Sequence, residues 1–324
     1  MKQVVYQGLL PNLIDRVEII EVPTPEIADD EVLVDVKMRP INPADLLLIQ
    51  ERHVFDPVVG TVIGIEGAGI VSKVGKNAKL TIGQQVAIPF GGTWQEQMKF
   101  KADLLLPFSS QISFEQGCML AVNPVTAYCL LMGLEKGQCI LLNAANSAIS
   151  KTIIRMAKLK SLYVIAVVRR ENAVEELKAV GADLVIVDHS DILLEKQVKE
   201  LAKNYTIIRA LDAIAGQATK SLFNCVADGG ELIVYGLLSD TEAILPAAQL
   251  VFRNVTVRGF SRLRYLQKIS SAEKQEMMDL ILSLFEKGFL DTKIEKVFDL
   301  SEVKQAIVAH ENPNRSAKIL LSST

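Results

Sequence analysis

The middle of the chain repeats one pattern: short runs of unbroken apolar residues alternate with stretches of helical spacing. CILL (139–142) is apolar throughout. KTIIRMAKL (151–159) sets Ile153, Ile154, Met156 and Ala157 on one side and Lys151, Arg155 and Lys158 elsewhere. SLYVIAVVRR (161–170) predicts a second strand ending at Val168, and ENAVEELKAVGA (171–182) a helix stopped by Gly181. DLVIV (183–187), IIRALDAI (207–214), ELIVYGLL (231–238) and NVTVRGF (254–260) complete six strands. LLEKQVKELAKN (193–204) and GQATKSLFNCVADGG (216–230) read as helices between them. Apolar strands alternating with helices imply α/β architecture, a doubly wound domain whose parallel six-stranded sheet is covered on both faces.

Residues 1–110 change pattern. VVYQG, VEIIEV, EVLVDVKMRPIN, GAGIVSKVG and QQVAIPF are short strand-like runs broken by Gly, Pro and Asn, which predicts a compact β domain. In EVLVDVKM, Val32, Val34, Val36 and Met38 alternate with Leu33, Asp35 and Lys37, the signature of a half-buried strand.

Strand, tight turn, helix at 138–159 is the opening of a dinucleotide-binding unit, whose helix directs unpaired N–H groups at a phosphate. The usual glycines are absent: Ser147, Ala148 and Ser150 stand in their places, small but without the positive-φ freedom of Gly. An ordinary strand–helix turn is the competing reading. At the end of the second strand stand Arg169 and Arg170, where an acid would select NAD; guanidinium forks match a 2′-phosphate and point to NADPH. A solvated basic pair is the alternative.

Composition narrows the class. The chain has 324 residues, 49% hydrophobic and 23% charged, with net charge −3, enough for two globular domains and no basic excess that would suggest nucleic acid or a membrane surface. No apolar run approaches a membrane span, and MKQVVYQGLLPNLIDR lacks an apolar leader core. The four cysteines, Cys118, Cys129, Cys139 and Cys225, match neither a zinc site nor a disulfide framework, so a cytoplasmic, reduced chain is expected.

INPADLLLIQ (41–50), GIEGAGIVSKVG (64–75), GQQVAIPFGGTWQEQMKF (83–100) and AVNPVTAYCLL (121–131) resemble the zinc-free branch of the medium-chain dehydrogenase/reductase superfamily. NAANS (143–147) and LPAAQLVFRNVTVRGF (245–260) are similar to its trans-2-enoyl thioester reductases; NADPH:quinone oxidoreductases are the neighbouring group. The resemblance covers essentially the whole chain. It implies a GroES-like β domain (1–115 and 290–324), a Rossmann domain (116–289), and an active site in the cleft between them. The tail fits: KIEKVFDL as a strand, SEVKQAIVAHEN as a helix and SAKILLS as a closing strand.

The resemblance also assigns residues. Asn123 and Thr126 fall near the nicotinamide; Asn146, Ser147, Ala148 and Ile149 form the pyrophosphate turn. Arg169 and Arg170 take the 2′-phosphate end, although only Arg169 matches a basic residue in the enoyl reductases. Tyr235, Gly236, Leu237 and Leu238 end the fifth strand; Phe260, Ser261, Arg262 and Leu263 follow the sixth; Lys318 comes from the closing strand. Core packing is an equal reading for Tyr235 and Phe260. Zinc members carry a Cys near Asn42 and a His where this chain has Ile65 in Gly64-Ile65-Glu66, so no metal is expected.

The acid of the enoyl reductases is a Tyr, and its place here is taken by His53, which can donate a hydrogen bond or a proton; an exposed loop His is the plainer reading. Asn42 and Asp45 match positions near the nicotinamide, and Asp45 serves equally as a helix cap. His189 and His310 read as structural or surface residues. Arg253, Arg258, Arg262, Arg264 and Lys268 form an acid-free basic strip suited to CoA phosphates or an acidic carrier, or to a solvated face.

The resemblance thus implies an NADPH-dependent, zinc-independent reductase of an activated C=C bond in a small-molecule substrate, an enoyl thioester or enone, working as a homodimer paired through the sixth strand. A quinone oxidoreductase and a non-catalytic binding protein on the same scaffold are the alternatives.

Overall fold

The structure, a computed structural model, describes residues 1–188, 192–239 and 241–323. His189 lies outside the described residues. The chain divides into two compact units, Met1–Asn123 with Met278–Thr324, and Pro124–Met277. The sequence reading put these borders at 115 and 290.

The N-terminal part gives β1 (Lys2–Tyr6), β2 (Val17–Glu21), β3 (Glu31–Pro40), the short helix α1 (Pro43–Ile49), β4 (Gly67–Val74), β5 (Gln85–Ile88), β6 (Gln97–Lys101) and β7 (Leu106–Pro107). Helices α2 (Phe114–Gly117) and α3 (Asn123–Leu130) follow. The middle gives β8 (Cys139–Leu142), α4 (Ala148–Leu159), β9 (Tyr163–Val168), α5 (Val174–Val180), β10 (Leu184–Val187), α6 (Leu194–Leu201), β11 (Ile207–Asp212), α7 (Gln217–Cys225), β12 (Glu231–Val234), α8 (Ala247–Arg253) and β13 (Thr256–Gly259). The chain closes with α9 (Arg262–Leu266), α10 (Ser271–Glu286), β14 (Ile294–Asp299), α11 (Val303–Glu311) and β15 (Lys318–Ser322).

In Pro124–Met277 the strands form one parallel sheet, order β10-β9-β8-β11-β12-β13. The order reverses between β8 and β11, the switch point at which open α/β sheets bind ligands beyond their strand ends. Its core packs Leu141, Ile165, Val167, Leu222, Phe223 and Leu232 against the helices. Gly181 stops α5 at φ +118° as its position predicts. The fifth and sixth strands are shorter than expected. β12 stops at Val234 because the Tyr235 and Gly236 N–H groups turn to the Asp212 carbonyl. β13 starts only at Thr256 because Asn254 caps α8 in the left-handed region.

In the other unit β3 sits inside a seven-stranded sheet, order β14-β15-β3-β4-β5-β7, with β6 also paired to β3. β3 pairs with β4, β6 and β15, so Leu33 is buried along with Val32, Val34 and Val36. The expected half-buried alternation therefore fails at Leu33. A second core joins β1, β2, α1 and the C-terminal elements through Val4, Tyr6, Ile41, Ile49, Trp94 and Ile307.

Candidate active site

The turn from β8 into α4 is built on a residue the sequence reading passed over. Ala144 carries the positive φ, +45°, while Ser147 is extended at φ −71°. Ser147, Ala148 and Ser150 therefore need no glycine; the left-handed residue lies three positions earlier. Ser147 caps α4, its Oγ accepting from the Ser150 N–H at 3.3 Å, and its carbonyl accepts from the Lys151 N–H. The first-turn N–H groups of Ala148 and Ile149 have no intrahelical acceptor. Small residues at 147, 148 and 150 and first-turn N–H groups without intrahelical acceptors, at the start of a twelve-residue helix, fit a pyrophosphate.

Beneath this turn lies a carboxylate that the sequence reading also missed. Asp212, wholly buried at the end of β11, accepts from Asn143 Nδ2 at 2.6 Å, the Ile214 N–H at 2.9 Å, the Ala215 N–H at 3.1 Å and Thr219 Oγ1 at 2.7 Å. Asn143 Oδ1 in turn accepts from the Ala213 N–H at 2.8 Å. These bonds lock the ends of the two strands at the switch point. The only sequence signal was a lone acid at the end of an apolar run followed by small residues.

Several of the other candidates follow the strands of this sheet at the same edge. Arg169 and Arg170 follow β9, next to β8, and both are exposed. Tyr235, Gly236, Leu237 and Leu238 lie beyond β12 rather than in it. Tyr235 reaches back to α4, its hydroxyl 3.4 Å from Ser150 Oγ, and burial raises its pKa to about 12. Gly236 is required by close approach, since a Cβ there would stand 2.5 Å from the Ala213 carbonyl oxygen. Phe260 and Ser261 follow β13, and the Phe260 ring centre is 5.8 Å from that of Tyr265. Arg262 and Leu263 open α9. Thr126 is buried in α3, and Asn123 begins that helix half-exposed.

Lys151 was expected on the polar side of α4. It is buried and paired with Glu176 of α5 at 2.5 Å, because α5 covers that face. The basic strip is likewise not free of acids in space. Arg253 pairs with Asp228 at 2.7 Å and Arg258 with Glu231 at 2.5 Å, so its sequence neighbours hid partners from other elements.

In the unit holding Met1–Asn123, the candidates separate. Asn42 and Lys318 are buried together. Asn42 Nδ2 donates to Glu66 Oε1 at 3.0 Å, and Lys318 Nζ donates to Asn42 Oδ1. Asp45 accepts the Asn42 N–H at 2.7 Å, the capping role foreseen for it. Burial raises its carboxyl to about 7. Burial lowers the Lys318 pKa from the ordinary lysine value, while Glu66 opposes that shift. Lys318 thus meets Asn42 and the Ile41 carbonyl through its ammonium.

His53 stands apart on the loop after α1, half-buried, with its Nδ1 accepting from the Phe55 N–H at 3.3 Å. Burial lowers its pKa. With Nδ1 accepting, the neutral ring carries its proton on Nε2, a hydrogen-bond donor. His310, in contrast, is a buried residue of α11 held neutral, its pKa lowered to about 2 by burial and by Arg315 and Lys318.

Ile65 occupies the position at which zinc members place a His, and no gathered set of three or more His, Cys, Asp or Glu side chains suited to a metal occurs among the described residues. No helix among the described residues is long and apolar enough to cross a membrane.

Comparison with known proteins gives these geometries a family. The alcohol dehydrogenase GroES-like domain family matches residues 28–110, and the zinc-binding dehydrogenase family matches 148–283. The chain belongs to the medium-chain dehydrogenase/reductase superfamily, in its enoyl reductase and quinone oxidoreductase branch, and is an enzyme of the oxidoreductase class. It is 33% identical over 317 residues to the mitochondrial enoyl-[acyl-carrier-protein] reductase of Dictyostelium discoideum, covering 92% of this chain and 88% of that protein. To the mitochondrial enoyl-[acyl-carrier-protein] reductase of Homo sapiens it is 28% identical over 322 residues, covering 95% and 86%. A solved structure of a putative NADPH:quinone reductase from Bacillus thuringiensis superposes with TM-score 0.90 at 28% identity, over 100% of this chain and 99% of that one.

Membership in a family of reductases sets aside the non-catalytic reading. The cytoplasmic expectation is corrected: the relatives are named mitochondrial. Unpaired cysteines do not distinguish one reducing compartment from another.

Proposed function

We propose that the chain is an NADPH-dependent, zinc-independent reductase of 2-enoyl thioesters. The observation that carries this reading is whole-chain likeness to enoyl-[acyl-carrier-protein] reductases, 33% over 92% of the sequence. Ile65 and the scattered cysteines support the absence of a zinc role, since they offer no ligand set.

When bound, NADPH supplies the hydride that reduces the β-carbon of the activated double bond. The Ala148 and Ile149 N–H groups hold the pyrophosphate, with Asn146 and Ser147 shaping the turn. Arg169, joined by Arg170, grips the 2′-phosphate. Tyr235–Leu238 and Phe260–Leu263 line the same sheet edge, and Asn123 and Thr126 serve the nicotinamide end. His53 donates its Nε2–H to the thioester oxygen as negative charge develops there. Preorganised donors of this kind contribute about 3–4 kcal/mol. The proton for the α-carbon comes from water or from His53, balancing the hydride at the β-carbon.

A homodimer paired through β13 fits the same reading. β13 is an edge strand, and Val251 and Phe252 just before it are 73% and 86% exposed. Sedimentation as a monomer at micromolar concentration would remove this element.

Quinone reduction is the second reading. It is favoured by the 28% identical neighbour named for that activity and by His53 in place of the Tyr acid, because quinones accept hydride with less help. Steady-state NADPH oxidation with crotonyl-CoA and with a simple quinone separates the two. Faster turnover of crotonyl-CoA is expected; quinone turnover alone would reverse the order. His53→Ala is expected to lower kcat on crotonyl-CoA at least about tenfold, and an unchanged pH–rate profile in that variant would remove the role.

A further inference from the structure

Glu66 has no part in the scheme above, yet it is the centre of a buried, connected polar group in its unit. It is 0% exposed, and Asn42 and Lys318 are 3% and 4% exposed. Glu66 Oε1 accepts from Asn42 Nδ2 and Oε2 from the Val122 N–H, both at 3.0 Å. Its carbonyl accepts from Thr93 Oγ1 at 2.8 Å. Lys318 Nζ donates to Asn42 Oδ1. The result is one line of ammonium, amide and carboxylate. The amide has a single workable orientation: reversed, its NH₂ would face the ammonium and its oxygen the carboxylate.

The two oxygens of Glu66 reach two separate elements. Asn42 immediately precedes α1, whose far end leads into the loop carrying His53. Val122 immediately precedes α3, which begins at Asn123 and carries Thr126. We propose that Glu66, acting through Asn42 and Val122, is a positioning residue for the reductase reaction, one carboxylate fixing the start of α1, which leads into the loop of His53, and the start of α3, which carries Thr126. This inference rests on the reductase reading and goes beyond it. It makes Asn42 a strut between Lys318 and Glu66 and not a group that touches substrate.

The hydrogen-bond directions supply a test by exchange. Glu66→Gln leaves one acceptor oxygen for two donors, so an NH₂ must face either Asn42 Nδ2 or the Val122 N–H. Asn42→Asp sets a second carboxylate against Glu66. The double variant Asn42→Asp/Glu66→Gln reverses only the middle link. The carboxylate at position 42 accepts from Lys318 Nζ and from the amide nitrogen at position 66, whose oxygen accepts the Val122 N–H. Net charge, volume and the three side-chain bonds of this line are retained.

The experiment measures kcat, KM for NADPH and for crotonyl-CoA, and thermal midpoint for the wild type, both single variants and the double variant, below the lowest midpoint. Each single variant is expected to lose about 10- to 100-fold in kcat, with KM for NADPH within about twofold. The double variant is expected to return kcat to within about threefold of the wild type. A double variant with restored midpoint but kcat as low as the singles overturns the proposal, because the Asn42 amide itself would then be required. Folded single variants with unchanged kcat also overturn it. Where the singles fail to fold, the double variant decides by the same criterion; if it too is unfolded, the proposal falls, since every bond it invokes is present. Failure of the reductase reading is seen separately, as a wild type that turns over neither crotonyl-CoA nor quinone.

Discussion

The buried carboxylates Asp212 and Glu66 serve the two units by different chemistry. Asp212 is satisfied by neutral donors, one amide, one hydroxyl and two backbone N–H groups, all close to the ends of β8 and β11. Glu66 is joined through the Asn42 amide to a buried ammonium, with partners at 42, 122 and 318. The donors around Asp212 come from the residues just after β8 and β11 and from Thr219 of α7, so the carboxylate ties together one edge of the sheet. Asn42, Val122 and Lys318, which join Glu66 directly or through the Asn42 amide, come from three distant parts of the chain, and the exchange of Asn42→Asp with Glu66→Gln tests whether the line works as a balanced whole. One unit thus offers a hydrogen-bonded strand edge, a rim suited to a nucleotide; the other offers a buried polar interior, with His53 half-buried on a loop apart from it.

The strongest way to break this comparison is to remove Asp212. Asp212→Ala leaves four donors without their acceptor and is expected to cost about 3–5 kcal/mol in urea unfolding. A loss below about 1 kcal/mol would show that the rim does not depend on that carboxylate.

The next effect belongs to the other unit and depends on pH. Burial raises the Asp45 pKa from 3.8 to about 7. Between those values the unfolded chain has released the proton that the folded chain keeps, so the folded state binds more protons and stability falls as pH rises through that window. Asp45→Asn keeps an acceptor for the Asn42 N–H and removes the titration. Relative to wild type it is expected to gain on the order of a few kcal/mol between about pH 4 and pH 8. His310 has the opposite sign. It is protonated below its ordinary 6.5 only when unfolded, being lowered to about 2 in the fold, and so stability is lost as pH falls below 6.5. Parallel stability–pH curves for Asp45→Asn and wild type would contradict the assignment.

A smaller effect sharpens the reading of the rim. Arg169→Ala is expected to weaken NADPH binding about 10- to 100-fold while NADH binding stays level, measured by nucleotide fluorescence. An equal loss for both nucleotides would mean that Arg169 does not read the 2′-phosphate. The smallest is Ala144→Gly. It relieves a left-handed Ala and is expected to stabilise by about 0.5–1 kcal/mol; destabilisation would mean that the methyl group packs to advantage.

The rim was legible because its function lies in topology. Six apolar runs alternating with helices fixed a parallel sheet, and Arg169 and Arg170 were read from the end of its second strand; 146–149 and 235–238 were assigned by resemblance and agree with the ligand edge that strand direction implies. The turn was misread in detail because fingerprint glycines were sought at Ser147, Ala148 and Ser150, whereas the strain falls on Ala144. Spacing does not reveal which residue of a turn takes positive φ. The interior of the other unit was the harder case. Asn42 and Lys318 entered by resemblance, but Glu66 appeared only as the neighbour of a missing zinc ligand. An acid within the small and apolar run GIEGAGI was the available hint. Its partners at 42, 122 and 318 are set by packing between distant segments, which local pattern does not encode. The basic strip failed for the same reason, since Asp228 and Glu231 lie outside its own stretch.

The central claim is that a glycine-free turn and an arginine at the end of β9 make an NADPH site. The most direct measurement is a titration of the purified protein with NADPH and with NADH, following reduced-nicotinamide fluorescence. Tight NADPH binding with NADH much weaker is the predicted result. Equal affinity for the two, or no binding of either, would contradict it.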